Sequence, residues 1–406
     1  MWFCSQIGAR EHYAVPRVLH QNGRLATLYT DIWAGPFIRQ VARKTNVRAF
    51  HSLATRFHPE LARASVVSWN ARSLLLETNA RQQKKQQVYE DFINIGSRFA
   101  QHVRQALSHR NDFNPDSIFF AYDTGALETM EWCRERGARC ILNQMDPNRA
   151  EVDMVREEQK RWPNWVTQSL EVPEEYFSRR EKEWALADKV IVNSEFCRQA
   201  LVQQGVPAKK LAVVPLCFEI KNGASLASGR VPKHVSSKAK LRVLFLGQVI
   251  LRKGIQYLVQ AAKLLEDEPV QFDVVGPVGI SDAAVVSAPP NMIFHGRATR
   301  DQTAEWYLQS DLFILPTLSD GFAITQLEAM SYGLPVIATP CCGAVVSDGL
   351  DGYIVPVRDA DALARAIQWY LNESELLVRQ RAAALVKVKQ FTLEHLASNL
   401  HSLETS

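Results

Sequence analysis

The sequence predicts an α/β protein built from two doubly wound, Rossmann-like domains with parallel sheets. Three observations carry that expectation. Short apolar runs alternate with longer segments of helical period, a polar segment breaks this alternation once, and the last amphipathic stretch has no strand after it.

In the first half the runs are "RCILNQ" and "KVIVNS". In the second they are "LRVLFLG", "VQFDVVG", "NMIFHG", "DLFILPT", "LPVIAT" and "GYIVPV". Between them "EIKNGASLASGRVPKHVSSKAK", Glu219 to Lys240, contains no apolar run and reads as a linker. The expected division is therefore 1–218, a linker at 219–240, and 241–378. After Gly247, "IQYLVQAAKLL" puts Ile255, Leu258, Val259 and Ala262 on one helical face, so the order is strand, tight turn, helix. The stretch from about Arg379 to Leu403 is helical and amphipathic, and no internal repeat is evident.

With 406 residues, 47% of them hydrophobic and 22% charged, the chain has the composition of an ordinary soluble protein able to bury sizeable cores. Its net charge of +4 gives no reason to expect nucleic-acid binding. Seven cysteines without CxxC or zinc-ligand spacing fit a reducing compartment. The chain start lacks a basic segment followed by a long apolar run, and no window reaches about 18 uninterrupted apolar residues. The expectation is a cytoplasmic protein whose membrane contact, if any, is peripheral. From Phe37 to Lys85 ten Lys or Arg residues face two Glu, Glu60 and Glu77. Such a stretch is either a solvated basic face or a contact for anionic headgroups at the inner face of a membrane.

Two segments have the makings of a binding site. "FLGQVILRKGIQYL" ends a strand at Gly247 and opens a helix near Gly254, with Arg252 and Lys253 at the junction. Cations at a helix start oppose the dipole unless an anion bridges them, so this is either a diphosphate site or a pair of solvated charges. "DLFILPTLSDGFAITQLEAM" runs from strand through loop into helix, and ligands of open parallel sheets bind beyond the carboxyl ends of strands. The amides of Ala323, Ile324 and Thr325 would form a second anion cradle. Asp320 and Glu328 offer acceptors for hydroxyl groups, the latter about 6 Å from the helix mouth. Taken singly, Asp320 reads as a turn residue or cap and Glu328 as a solvated helix position.

At these residues a family resemblance appears. "SDGFAITQLEAMSYGLPVIAT" is similar to the acidic-x7-Glu signature of the retaining glycosyltransferases of family 4, the group-one transferases with the GT-B fold. "EWALADKVIVNSEFCRQALVQQGVPAKKLAVVPLCF", "GQVILRKGI" and "DGLDGYIVPVRDADALARAI" resemble further segments of that family, so the likeness extends over about the whole chain. It implies two Rossmann-like domains facing across a cleft, with the terminal helix, 379–406, returning to the first. It also implies a nucleotide-diphosphate-sugar donor and a saccharide or lipid-linked saccharide acceptor, with no cofactor or metal required. Carried over by position, Glu328 would hold the ribose, and Asp320 with Gly321, Phe322 and Ala323 the sugar ring. Ile324 and Thr325 would face a phosphate, and Lys253, helped by Arg252, would neutralise the leaving diphosphate.

The chain departs from the family pattern in four places. Asp320 stands for Glu, and Gln248 for a common Arg. "IGAREHY" replaces a Gly-Gly loop, keeping Gly8 for close approach and adding Arg10 and His12. "CILNQMDP" offers Gln144 and Asp146 where many members carry His. Arg10, His12, Gln144 and Asp146 are acceptor-side candidates, although His12 also reads as a structural hydrogen-bonding group. Trp162 and Trp165 form either a lid that stacks on sugars or buried packing. Cys341 and Cys342 allow a paired-thiol switch or a packed loop. Two rival functions remain: a degenerate, nucleotide-sugar-binding partner subunit, and a nucleotide-sugar epimerase on a similar scaffold.

Overall fold

The computed structural model describes residues 1–36, 39, 55–69, 88–220 and 240–405. The basic stretch 37–85 lies largely outside them, and so does most of the linker 219–240. Two parallel sheets organise the chain. The first comprises β1 (Trp2–Gln6), β2 (Leu25–Thr30), β3 (Val66–Ser68), β4 (Ile118–Tyr122), β5 (Arg139–Gln144), β6 (Lys189–Val192) and β7 (Leu211–Val213). Its spatial order is β3-β2-β1-β4-β5-β6-β7. The second comprises β8 (Leu241–Leu246), β9 (Val270–Val275), β10 (Met292–Gly296), β11 (Leu312–Leu315), β12 (Val336–Ala338) and β13 (Gly352–Ile354), ordered β10-β9-β8-β11-β12-β13. All eight apolar runs of the sequence are strands here. In the strands inside each sheet the central residues are buried on both faces, as parallel strands covered by helices require, whereas the edge strands β10 and β13 leave Ile293 and Ile354 exposed.

In each sheet the winding reverses beside the first strand, between β1 and β4 and between β8 and β11. Loops diverge at such a point and leave a crevice beyond the strand ends. Gly8 and Asp123 follow β1 and β4, and Lys253 and Asp320 follow β8 and β11, so topology alone collects these residues at the two crevices.

The helix Ile255–Leu264 buries Ile255, Leu258, Val259 and Ala262 against β8 and β9. Gly254 sets its start. With φ +73° it occupies the left-handed region, and a Cβ there would run into the Pro316 carbonyl oxygen.

The carboxyl-terminal stretch differs from the single returning helix expected from residue 379. It forms two helices, Ser374–Lys387 and Leu393–Thr405. The first stays on the second domain, where Ala384 and Val388 pack among Leu327 and Met330. Thr392 then caps a new helix, its Oγ1 accepting the His395 N–H at 3.3 Å. Only this last helix crosses back, burying Leu396, Leu400 and Leu403 against Trp2, Val18 and Leu28. Each leucine contributes roughly 1.5–3 kcal/mol to holding the chain end on the first domain. The two places where the chain passes between domains are themselves joined, since Phe218 N–H donates to the Phe391 carbonyl at 2.7 Å.

Among the described residues, no helix is long and apolar enough to cross a membrane. Gly254→Ala is expected to destabilise the second domain by at least about 2 kcal/mol, because both backbone conformation and space exclude a methyl. Denaturant unfolding checks this, and an unchanged midpoint would refute the packing described.

Candidate functional site

The loops after β8 and β11 close on each other. Leu318 N–H donates to the Arg252 carbonyl at 2.9 Å, and Thr317 Oγ1 to the same oxygen at 3.2 Å. This brings Lys253 to Asp320, whose side chains form a close ion pair. Arg252 Nη1 donates to the Ser319 carbonyl at 2.9 Å and to Glu151 Oε2 at 3.2 Å, and lies 3.9 Å from Asp320 Oδ1. Ser319 Oγ donates to Glu151 Oε2 at 2.8 Å. Thus the two cations at an unfavourable helix start are bridged by carboxylates, one from each domain. Burial pushes the Glu151 carboxyl up from its ordinary range, an effect that Arg252 opposes.

Gly321 is a point of close backbone approach between the halves. A Cβ there would strike the Met145 carbonyl oxygen and lie 2.8 Å from Asn193 Nδ2. The next residue, Phe322, packs edge-on against Phe391 at the chain crossing, with ring centres 6.0 Å apart.

The expected amide cradle at the next helix, Ile324–Ser331, is smaller than the sequence implied. Ala323 N–H donates to the Cys342 carbonyl at 3.0 Å, and Asp320 N–H to the Cys341 carbonyl at 2.9 Å. These bonds fold the loop onto the segment after β12 and leave Ile324 and Thr325 at the helix mouth. One turn in, Glu328 Oε2 accepts the Tyr307 hydroxyl at 2.9 Å, and Tyr307 stacks on Tyr332. Burial pushes the Cys341 thiol up to about 11 and that of Cys342 further. A buried, protonated pair is packing rather than a reactive switch.

Helix Arg149–Arg161 of the first domain carries the main contact across the seam. Glu158, 0% exposed, accepts hydrogen bonds from Gln256 Nε2 at 2.8 Å, Tyr257 Oη at 2.9 Å and Arg358 Nε at 2.7 Å. Trp162 and Trp165 follow and pack against the core of the second domain, Trp162 edge-on to Tyr257 at 5.8 Å. Val166 bridges Ile280, and Ser281 N–H donates to the Trp165 carbonyl at 3.1 Å. The two tryptophans are interdomain packing, with Trp165 also edging a cavity of about 690 Å³ at the seam. Gln248 is exposed and lines the same cavity.

A second cavity, of about 390 Å³, opens in the first domain beyond β1, β2, β4 and β5. Arg10 and Asp146 line it, together with Asp31, Arg56, Trp69, Phe99, His102, Tyr122 and Asp123. Arg180, 1% exposed, binds Asp123 closely and Asp146 at 2.8 Å. The remaining acceptor-side candidates do not join this group. Gln144 is fully buried, its Nε2 donating to the Asp146 carbonyl at 2.9 Å and its Oε1 accepting from Trp184 Nε1 at 2.8 Å, so it braces the cavity floor. His12 is exposed and outside the lining. Gly8, with φ +84°, donates its N–H to Asp31 Oδ1 at 2.8 Å, and Arg56 occupies the space that its missing side chain leaves. Its amide is therefore committed within the first domain. Neither cavity is lined by Lys253, Asp320 or Glu328.

Residues 240–373 match the family of Glycosyl transferases group 1. The D-inositol 3-phosphate glycosyltransferase of Streptomyces griseus is 26% identical over 224 residues, which is 49% of this chain and 47% of that protein. The capsular polysaccharide biosynthesis glycosyltransferase CapM of Staphylococcus aureus is 24% identical over 207 residues, 47% of this chain and 54% of that protein. The chain thus spans about half the length of the curated relatives it matches. A crystal structure of Anabaena Alr3699/HepE in complex with UDP and glucose superposes with a TM-score of 0.60 at 12% identity, covering 100% of this chain and 99% of that one. This establishes the GT-B architecture.

Among the described residues no group of three or more His, Cys, Asp or Glu side chains is placed to hold a metal ion. Gly321→Ala is expected to force the seam apart at a cost of about 1–3 kcal/mol. Hydrogen exchange of the amides in 316–323 should then quicken by roughly tenfold or more, with β1 and β8 unchanged. Unaltered exchange in that loop would mean that the contact is not kept in solution.

Proposed function

We propose that the protein is a metal-independent retaining glycosyltransferase of family 4, a hexosyltransferase in polysaccharide or glycoconjugate biosynthesis. In this reading it moves a sugar from a nucleotide-diphosphate-sugar to a saccharide or lipid-linked saccharide. One observation carries it: the Lys253 turn and the Asp320–Glu328 segment converge at the interdomain seam, on the sheet whose residues match the group 1 glycosyl transferases. The UDP and glucose of the HepE complex and the capsular role in the name of CapM support the donor class and the setting.

The roles follow from charge. As the sugar C1–oxygen bond breaks, negative charge grows on the diphosphate and positive character on the ring. Lys253, with Arg252 beside it, meets the diphosphate, and Ile324 and Thr325 present amides to a phosphate. Glu328 holds the ribose hydroxyls in an orientation set by Tyr307. Asp320 exchanges its bond to Lys253 for sugar hydroxyls, with the backbone from Gly321 to Ala323 bordering the ring. The acceptor hydroxyl then attacks from the face that the phosphate leaves, passing its proton to the departing phosphate oxygen, and closure at Gly321 excludes water. Exposed Gln248 adds no cation, which concentrates the electrostatic task on Lys253 and Arg252. The reading includes a cytoplasmic enzyme working at the inner membrane face.

Thermal stabilisation by a panel of nucleotide-sugars identifies the donor. Glu328→Ala is expected to weaken donor binding roughly tenfold or more, through loss of charge-assisted hydrogen bonds to the ribose. Lys253→Ala is expected to lower kcat by about 10²–10³ with a smaller effect on donor affinity. If both variants keep wild-type kinetics, or if EDTA abolishes transfer, the corresponding part of the proposal is wrong.

A further inference from the structure

The first-domain cavity carries a charge pattern that sugar transfer as such does not require. Three aspartates line it, and each already has a cationic partner. Asp123 and Asp146 share the buried Arg180, while Asp31 faces Arg56 at 3.5 Å and accepts the Gly8 N–H. Arg10 and Arg98 also belong to the lining and are exposed. Among the described residues neither forms an ion pair, and the Arg10 guanidinium instead lies 6.0 Å from the centre of the Tyr122 ring.

The backbone holds this arrangement at a conformational cost. Glu11, His12 and Tyr13 have φ of 49°, 51° and 61°, three consecutive non-glycine residues in the left-handed region. That turn places the half-buried Glu11 near the Tyr122 hydroxyl, which donates to its Oε1 at 3.4 Å, while Arg10 stays on the cavity. Burial pushes the Glu11 carboxyl up to about 7, which makes it a weak counter-charge to Arg10. The lining also holds an aromatic wall, Trp69 stacked on His102 at 5.5 Å and edge-on to Phe99 at 5.9 Å.

We propose that this cavity is a subsite for an anionic saccharide, in which Arg10 and Arg98 bind a carboxylate or phosphate and the Trp69 wall packs against the sugar ring. Guanidinium groups suit either anion, since both accept a fork of charge-assisted hydrogen bonds. Asp31 and Asp146 remain placed to accept sugar hydroxyls. The inference rests on the transferase reading only in calling the ligand an acceptor.

Calorimetric titration of the full chain without nucleotide tests it, using methyl glucuronide, glucose 6-phosphate and methyl glucoside as probes. At least one anionic sugar should bind about tenfold more tightly than the neutral one, the value of roughly one charge-assisted hydrogen bond. The advantage should shrink to about twofold or less in the double variant Arg10→Gln, Arg98→Gln, with its circular dichroism unchanged, and should persist when both are Lys. Preference for the glucuronide alone assigns a uronic acid and preference for the phosphate alone a phosphosugar, and either upholds the proposal. Equal affinity for the three, no binding of any, or a preference that survives the Gln substitutions overturns it. Binding of UDP-glucose, titrated separately, reports on the transferase reading independently of these outcomes.

Discussion

Glu158 is a carboxylate removed from water whose three hydrogen-bond donors all belong to the other domain. Burying such a charge costs several kcal/mol, and only well-placed donors offset it. The offset disappears if the donors move by an ångström, so the group acts less as a source of net stability than as a constraint on relative position. Trp162 and Trp165, one turn and more beyond it, add apolar area to the same contact. Seven residues before it on the same helix, about 10 Å along the axis, Glu151 reaches Arg252 and Ser319. One helix therefore sets both the distance between the domains and the position of the loops after β8 and β11.

The chain crossings add a second tie to the same loop. Phe218 and Phe391 are hydrogen-bonded to each other, and Phe391 packs against Phe322 in the loop that carries Asp320 and Gly321. A rotation about the crossings cannot leave that loop unaffected, because the ring contact and the Gly321 approach to Met145 belong to one short segment. Packed aromatic rings have discrete arrangements rather than continuous ones. Domain orientation and loop position are thereby coupled through one ring contact and two backbone contacts.

The sheets were legible because their signal is local. An apolar run bounded by turn residues reads as a buried parallel strand wherever it lies, and the same holds for the face formed by Ile255, Leu258, Val259 and Ala262. The convergence of Lys253 with Asp320 was legible for another reason: topology brings the ends of β8 and β11 together, and a family pattern singles out the residues. What could not be read depends on distant partners. "RAEVDMVREEQKR" looks like a solvated helix, and nothing within it tells that Glu158 meets Arg358 from 200 residues away. Asp146 stands out by family position alone, and nothing near it or Asp123 in sequence tells that Arg180 sits between them. Gln144 resembles a site residue by position, yet both ends of its amide are taken by Trp184 and the Asp146 carbonyl. The Ala323 amide looks free in its local pattern, yet its acceptor, Cys342, follows a different strand. The break before the last helix had a sequence signal in Thr392, a capping residue inside an otherwise continuous amphipathic stretch.

The ionic contacts at the seam fall into two kinds, and exposure separates them. The Glu158 carboxylate is closed off from solvent, and removing any of its donors leaves a buried charge short of partners. The Lys253–Asp320 pair keeps 14% and 19% of its side-chain surface exposed. Water can replace either partner there, so the pair has a smaller desolvation barrier to exchange. In the proposed transferase, a diphosphate would offer Lys253 more charge than one carboxylate does, and hydroxyl groups would offer Asp320 donors in return. Asp320, one methylene shorter than the Glu of the family pattern, is held near Lys253 by a loop pinned at its own amide. The molecule thus combines a closed electrostatic contact that fixes geometry, at Glu158, with a more accessible one, at Lys253 and Asp320, and the single helix Arg149–Arg161 reaches the first directly and the second through the contacts of Glu151 with Arg252 and Ser319.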